Sequence, residues 1–118
     1  MNTKFELDLD NYLNNKEVAM VGRKEGEAML ASLKDQNVIL STLENNYDEI
    51  VIKIPNRIIT MNKSFFLGFM ETRVQVLGKE KYLKKYKFIA TQHITDKIVN
   101  IYIDAALLEA SPNEILNV

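Results

Sequence analysis

The sequence contains no cysteine and no tryptophan, and its 118 residues include only two prolines, four glycines and one histidine. Without cysteine the chain forms no disulfide, no thiolate metal site and no cysteine nucleophile, a usage typical of reducing compartments. The single histidine, His93, has no second imidazole or thiol with which to hold a metal or act in catalysis. We therefore expect no metal, no cofactor and no catalytic group.

An excess of charge of one sign and long apolar runs are also missing. The formal net charge is -1, from 15 basic and 16 acidic residues that are interspersed, so no field is expected that would recruit nucleic acid. No segment approaches the roughly 18 consecutive apolar residues that a membrane span needs. Glu6, Asp8 and Asp10 interrupt the first apolar run, unlike in a signal peptide. We expect a cytoplasmic protein without a membrane segment.

The composition is sufficient for one hydrophobic core. Hydrophobic residues make up 47% and charged residues 26% of the sequence, which are ordinary values for a globular protein. A chain of 118 residues is close to the commonest domain size. We predict a single domain over 1–118, with an N-terminal strand and connection in 1–16 and a frayed tail in 110–118.

The first half of the chain alternates strand and helix patterns. Residues 5–9 alternate apolar and acidic side chains as an edge strand does, and 18–21 resemble a second, short strand. A helix is predicted from about Lys24, with a break at 35–37 that leaves either one bent helix or two short ones. The nearly continuous β-branched run 50–54 predicts a central strand covered on both faces.

The second half continues the alternation with the most apolar helix of the chain. Either Asn62 or Ser64 can cap this helix, and Gly78 ends it. Residues 58–59 are assigned to the loop before it. Its predicted buried positions are Phe66, Met70, Val74 and Leu77.

A short charged helix at 79–85 and a strand at 86–90 lead to a last helix capped by Thr91. The predicted buried positions of that helix are Ile94, Ile98, Ile101, Tyr102, Ala105 and Leu108. The order of elements predicts an α/β fold: a small sandwich with a mixed or parallel-core sheet of about four strands, packed with three to four helices.

The polar turn that begins the helix 62–78 is the leading candidate for a functional surface. A helix N-terminus exposes unpaired backbone amides, and a hydroxyl that caps them stabilises the helix by about 1 kcal/mol. A phosphate at Ser64 would instead place about -2 charge where a partner docks. The residues expected to contact a partner here are Asn62, Lys63, Ser64 and Phe65.

Arg23 and Lys24 form a second candidate, because two basic side chains at a strand-to-helix turn can hold a phosphate or a partner's carboxylate. The turn 22–26 lacks the ending of a P-loop and the glycine spacing of a dinucleotide-binding turn. Solvated charges at a helix start are the simpler interpretation. The lysine-rich run 79–87 is similarly explained as an amphipathic element with a solvated face.

Five short motifs follow one another between residues 18 and 108. They are Gly22-Arg23-Lys24-Glu25-Gly26, the strand 50–54, Thr60-Met61-Asn62-Lys63-Ser64-Phe65, the helix end Leu77-Gly78 and the stretch 80–89. In this order and spacing they resemble the bacterial STAS-like domains of unknown function. That family is related to the STAS domains of anti-sigma factor antagonists.

The resemblance implies a non-enzymatic binding module regulated by serine phosphorylation, working beside a GHKL-type ATPase or kinase or a sigma-regulatory protein. In the antagonists a strand ends in an Asp-Ser-Ser-Gly turn whose second serine accepts phosphate. Ser64 takes the place of that serine here, and Asn62, Lys63 and Phe65 stand for the aspartate, the first serine and the glycine. The STAS-like relatives share the serine-phenylalanine pair.

Three classes of function stay open at this point. The first is a cytoplasmic regulatory or adaptor domain that binds a protein partner through the Ser64 turn. The second is an inhibitor, encoded by a phage or mobile element, that blocks a host or defence protein with the same small fold. The third is a nucleotide-binding protein or enzyme that uses 22–26, ranked last because no base, nucleophile pair or metal set accompanies that turn.

Overall fold

The computed structural model describes residues 3–90 and 94–116, with side chains described as far as Glu109. Over these residues the chain is an α/β protein, as predicted, but it has five α-helices where three to four were expected. The elements are β1 (Lys4–Asp8), a 3-10 helix (Leu9–Tyr12), β2 (Ala19–Met20), α1 (Arg23–Asp35), α2 (Leu40–Asn46), β3 (Glu49–Lys53), β4 (Thr60–Met61), α3 (Lys63–Leu77), α4 (Lys79–Lys85), β5 (Tyr86–Ile89) and α5 (Asp96–Leu116).

The strands form two parallel sheets. The larger has the order β1-β3-β5, with Phe5, Ile50 and Tyr86 in register across it. This confirms the predicted edge position of β1 and the central position of β3. The predicted strand at 18–21 exists as β2, but it pairs with β4 in a separate two-stranded sheet. The sequence prediction assigned 58–59 to a loop and contained no β4.

The central strand is buried on both faces, as its composition predicts, but different kinds of side chain cover the two faces. Ile50 and Ile52 are fully buried in the main core. Val51 points to the other face, where the register places the exposed Glu6 and Lys87 on either side of it. Charged side chains therefore line this face of the sheet, and their aliphatic parts can cover the valine between them.

Helix α3 lies at the centre of the core. Phe66 is fully buried, and its ring contacts those of Tyr82, Phe88 and Tyr102 at centroid distances of 6.4, 6.2 and 5.9 Å. The other predicted core positions follow the same face, with Leu77 only partly buried. Phe65, Leu67 and Phe69 are also buried, because α1 and α5 pack against further sides of the helix.

Two glycines let α1 and α3 approach each other closely. A methyl group at Gly26 would overlap the carbonyl oxygen of Phe65, and one at Gly68 would overlap that of Arg23. Side chains at these positions would force the two backbones apart. The glycines thus bring the N-terminal ends of α1 and α3 together.

The predicted break at 35–37 separates two helices. Asn37 has a φ of 64°, in the left-handed region that interrupts a helix. Its backbone N–H donates to the carbonyl of Lys34 and so ends α1, and α2 begins after it. Gly78, with a φ of 80°, ends α3 as predicted.

The start of α5 differs from the prediction. Its first residue is Asp96, and Thr95 Oγ1 accepts a hydrogen bond from the backbone N–H of Ile98 at 3.3 Å, so Thr95 acts as the cap. The predicted cap Thr91 lies outside the described residues, as does His93. The helix continues to Leu116, through most of the segment predicted as a frayed tail.

The predicted buried face of α5 is partly wrong. Ile101 and Leu108 are 55% and 68% exposed, whereas Val99, Ile103 and Ala106 form the buried face. The helix carries apolar residues at two overlapping helical spacings, so the sequence pattern fits either face. Contact with α3 selects one of them. Among the described residues, no helix is long and apolar enough to cross a membrane.

Candidate functional site

The two turns singled out in the sequence lie side by side. The pairing of β2 with β4 places Met20 opposite Met61, so the strands end at the same level. Each strand then leads directly into a helix, β2 into α1 and β4 into α3. The N-termini of two helices therefore meet at the carboxyl ends of two parallel strands.

Asn62 joins these turns. Its Oδ1 atom accepts hydrogen bonds from the backbone N–H of Phe65 at 2.9 Å and from that of Gly22 at 3.2 Å. Its own N–H donates to the carbonyl of Met20 at 3.1 Å. Of the two caps that the sequence allows, Asn62 is the one used, and it also fixes the position of the turn before α1.

Ser64 is not the cap, contrary to one of the predicted possibilities. It is the second residue of α3, and its side chain is exposed. Its hydroxyl makes no hydrogen bond to another residue of the described part of the chain. Asn62 occupies the capping position, and the exposed Ser64 lies one residue inside the first turn of α3.

The basic residues of the two turns fall into two groups. Lys24 and Lys63 are exposed and form no ion pair with any described side chain. The Arg23 guanidinium is instead paired with Glu71 at 3.0 Å and Glu109 at 3.1 Å, although 42% of the side chain remains exposed. These contacts connect α1, α3 and α5, and an external anion would compete with both carboxylates for the guanidinium.

Burial of Glu71 raises the pKa of its carboxyl, and the neighbouring Glu109 adds to this effect, while the bond from Arg23 opposes it. The Arg23 guanidinium in turn has a raised pKa, chiefly because of its hydrogen bond to Glu71. One cation thus holds two carboxylates that would otherwise repel each other. The cluster has the character of a structural tie between helices.

Phe65 belongs to the hydrophobic core. It is 2% exposed, and its ring lies 6.0 Å from that of Phe69. Among the residues expected to contact a partner, the structure therefore places Lys24, Lys63 and Ser64 on the surface. Arg23 is also exposed, but its guanidinium is paired with Glu71 and Glu109, whereas Asn62 is half-buried and Phe65 is buried.

A buried polar network around Glu44 was not predicted. Glu44 accepts hydrogen bonds from the Arg73 guanidinium and from the Tyr86 hydroxyl. The Lys85 ammonium donates to the carbonyl oxygens of Glu44 and Tyr47 at 2.9 and 2.7 Å. This network could not be predicted from a local sequence pattern. Its members are far apart in the sequence, and each lies in a segment of ordinary composition.

Tyr86 of this network and the neighbouring Tyr82, whose buried hydroxyl has no hydrogen-bond partner among the described residues, remain protonated at neutral pH. Burial, and then the hydrogen bond to Glu44, raise the pKa of Tyr86, and burial raises the pKa of Tyr82 well above its ordinary value. Their rings stack at a centroid distance of 4.7 Å. The ion pair of Glu44 with Arg73 joins α2 to α3, and the hydrogen bond from Tyr86 connects it to β5.

The lysine-rich run 79–87 is largely engaged within the fold. Lys79 pairs with Asp104 at 2.8 Å, and Lys87 donates to the carbonyl of Leu83 at 2.8 Å.

In the described part of the chain, no group of three or more histidine, cysteine, aspartate or glutamate residues could hold a metal ion. The two turns expose the ammonium groups of Lys24 and Lys63, together with one guanidinium, one carboxylate and the Ser64 hydroxyl.

Comparisons with protein-family models, with curated proteins and with solved structures find no match for this chain. The resemblance to STAS-like domains therefore stays a prediction from the sequence motifs.

Proposed function

We propose that this chain is a non-enzymatic, cytoplasmic regulatory or adaptor domain that binds a protein partner through the turn at the start of α3. The observation that carries this proposal is that, at the paired turns, some polar side chains hold the backbone in place while others are exposed. Asn62 and Arg23 are committed to holding the backbone in place. Lys63, Ser64 and Lys24 are exposed on that rigid support, where they are available to a partner.

The resemblance of residues 18–108 to STAS-like domains supports the same surface and suggests the partner's class, a GHKL-type ATPase or kinase or a sigma-regulatory protein. Ser64 is the position that such a kinase would phosphorylate. Its hydroxyl is exposed, and a phosphate would lie at the positive end of α3 beside Lys63. The modification would change the charge presented to the partner without disturbing the cap at Asn62.

Affinity capture with charge-reversed variants tests this proposal. Wild type, Lys63→Glu and Lys81→Glu are immobilised, and the proteins that each retains from the native host are quantified by mass spectrometry. Lys81 is an exposed lysine of α4, which follows the far end of α3, so the control makes the same charge change away from the turn. We expect a partner retained by wild type and Lys81→Glu and depleted with Lys63→Glu. Equal recovery by all three baits would contradict the proposed surface.

A further inference from the structure

A groove of about 290 Å³ lies beside β2, between the segment after the 3-10 helix and α1. Its walls combine apolar and polar groups in about equal measure, and the buried ring of Phe65 forms part of them. The residues that matter for the argument are Leu13, Glu17, Ala19, Val21, Glu25 and Ala28. The groove thus adjoins the turn assigned to partner binding but is a separate surface.

The backbone at the floor of this groove is unpaired. The carbonyls of Val18 and Met20 accept hydrogen bonds from Ile59 and Asn62, at 2.8 and 3.1 Å, on the side of β4. In a parallel pair, alternate residues direct their N–H and C=O groups to the same side. Ala19 and Val21 therefore direct theirs away from β4, and the Val21 backbone makes no hydrogen bond within the described residues.

This strand edge is short, which by itself limits pairing, but it lacks the charged residues carried by the edge strands of the larger sheet. β1 carries Lys4, Glu6 and Asp8, and β5 carries Lys87, and charges of this kind discourage the pairing of a further strand. The segment 18–21 has no charged residue. Its two valines, Val18 and Val21, are 52% and 44% exposed. An uncharged, apolar and unpaired edge is suited to accept another strand.

The charge of the groove limits what can occupy it. Glu17 and Glu25 line it, and no lysine or arginine does. We propose that an extended segment of a partner protein, with a small apolar side chain next to lysine or arginine, adds to β2 as a further strand in this groove. The inference rests on the proposed function in that the ligand is a protein, but it concerns a different surface.

Nuclear magnetic resonance on the 15N-labelled full chain tests the groove with defined peptides. The probe is acetyl-Lys-Val-Lys-Val-Lys-Val-amide, and the matched control replaces each lysine by glutamate. With the basic peptide, we expect saturable chemical-shift changes at the Ala19 and Val21 amides and slower hydrogen exchange at Val21. The acidic control peptide should cause neither. Equal shifts with both peptides, shifts confined to the charged face of the sheet, or no shifts would each overturn the inference.

Paired variants on α1 identify the site. Ala28→Arg fills the groove, whereas Ala31→Arg makes the same change at an exposed alanine of α1 that does not line it. Glu25→Lys reverses a charge of the groove, and Glu27→Lys reverses one outside it. We expect affinity for the basic peptide to fall at least about tenfold in the first member of each pair only. Equal effects within a pair would overturn the assignment.

Ser64→Asp separates this inference from the proposed function. The substitution lies outside the groove, so peptide binding should stay within about twofold of wild type. Loss of peptide binding in this variant would show that the peptide docks on the turn instead. If the peptide fails to bind at all while Lys63→Glu still loses the captured partner, the groove inference fails and the proposed function stands.

Discussion

Replacing Asn62 by alanine should destabilise the protein far more than the same change at Ser64. Asn62 Oδ1 accepts two backbone hydrogen bonds, from Phe65 and from Gly22. Loss of the cap costs about 1 kcal/mol. The partly buried N–H of Gly22 would also lose its acceptor, at about 1 kcal/mol or more. We expect Asn62→Ala to lower the free energy of unfolding by about 2 to 3 kcal/mol.

Urea unfolding at constant temperature measures this difference. Ser64→Ala, the matched control two residues along the same helix, should change stability by no more than about 0.5 kcal/mol, as at other exposed positions. Asn62→Asp keeps an acceptor for both bonds and adds charge favourable to the helix dipole, so it should retain most of the stability. A loss in Ser64→Ala equal to that in Asn62→Ala would refute the assignment of the cap.

Other predictions concern the core, the helix contact, pH and nucleotides. Phe66→Ala should cost about 3 to 5 kcal/mol in urea unfolding, because the side chain is fully buried among aromatic rings, and a loss below about 1 kcal/mol would contradict its place in the core. Gly68→Ala should cost about 1 to 3 kcal/mol, since the new methyl group meets the α1 backbone, and a neutral result would show that the two helices are not in contact there. The Thr3 N–H donates to Asp48 at 2.8 Å and lowers the pKa of its carboxyl, so this contribution to stability is present above the ordinary pKa and is lost as the pH falls through the lowered one. The stability of Asp48→Asn, followed by circular dichroism during acid unfolding, should therefore depend less on pH than that of wild type. The same pH dependence in both proteins would count against this bond. Millimolar ATP or GTP should leave the melting temperature of the full chain unchanged, and a shift that Lys24→Ala abolishes would favour the nucleotide-binding alternative.

The sequence predicted those parts of the fold that depend on local pattern. The β-branched run 50–54 predicted a central strand, and the helical spacing of Phe66, Met70 and Val74 predicted the buried face of α3. Gly78 predicted the end of that helix, because few other residues adopt its backbone conformation readily. In each case a few neighbouring residues determine the structure.

Tertiary contacts decided the features that were missed. The apolar residues of α5 fit two faces, and packing on α3 buried Val99 and Ile103 and left Ile101 exposed. β4 has only two residues and exists because β2 lies beside it. The bond from Gly22 to Asn62 spans 40 positions in the sequence, so no local pattern could show which of the two possible caps would be used.

The sequence singled out the two turns separately, and only the structure shows how they are arranged relative to each other. Both turns were identified, but their proximity depends on the pairing of β2 with β4. Arg23 is predicted to contact a partner, and the structure adds ion pairs from its guanidinium to two glutamates that are distant in the sequence. Glu71 and Glu109 lie on other helices, and an arginine at a helix start gives no indication of which carboxylates will reach it.

Calorimetric titration of the captured partner into wild type, Ser64→Ala and Ser64→Asp tests the central claim most directly. Ser64→Asp should fold as stably as wild type, because an acidic residue in the first turn of α3 is favourable to the helix dipole. A partner docked on the turn would meet an unmatched charge, so we expect affinity to fall at least about tenfold for Ser64→Asp and less than about threefold for Ser64→Ala. Equal affinity of wild type and Ser64→Asp for the partner would contradict the claim that this turn is the binding surface.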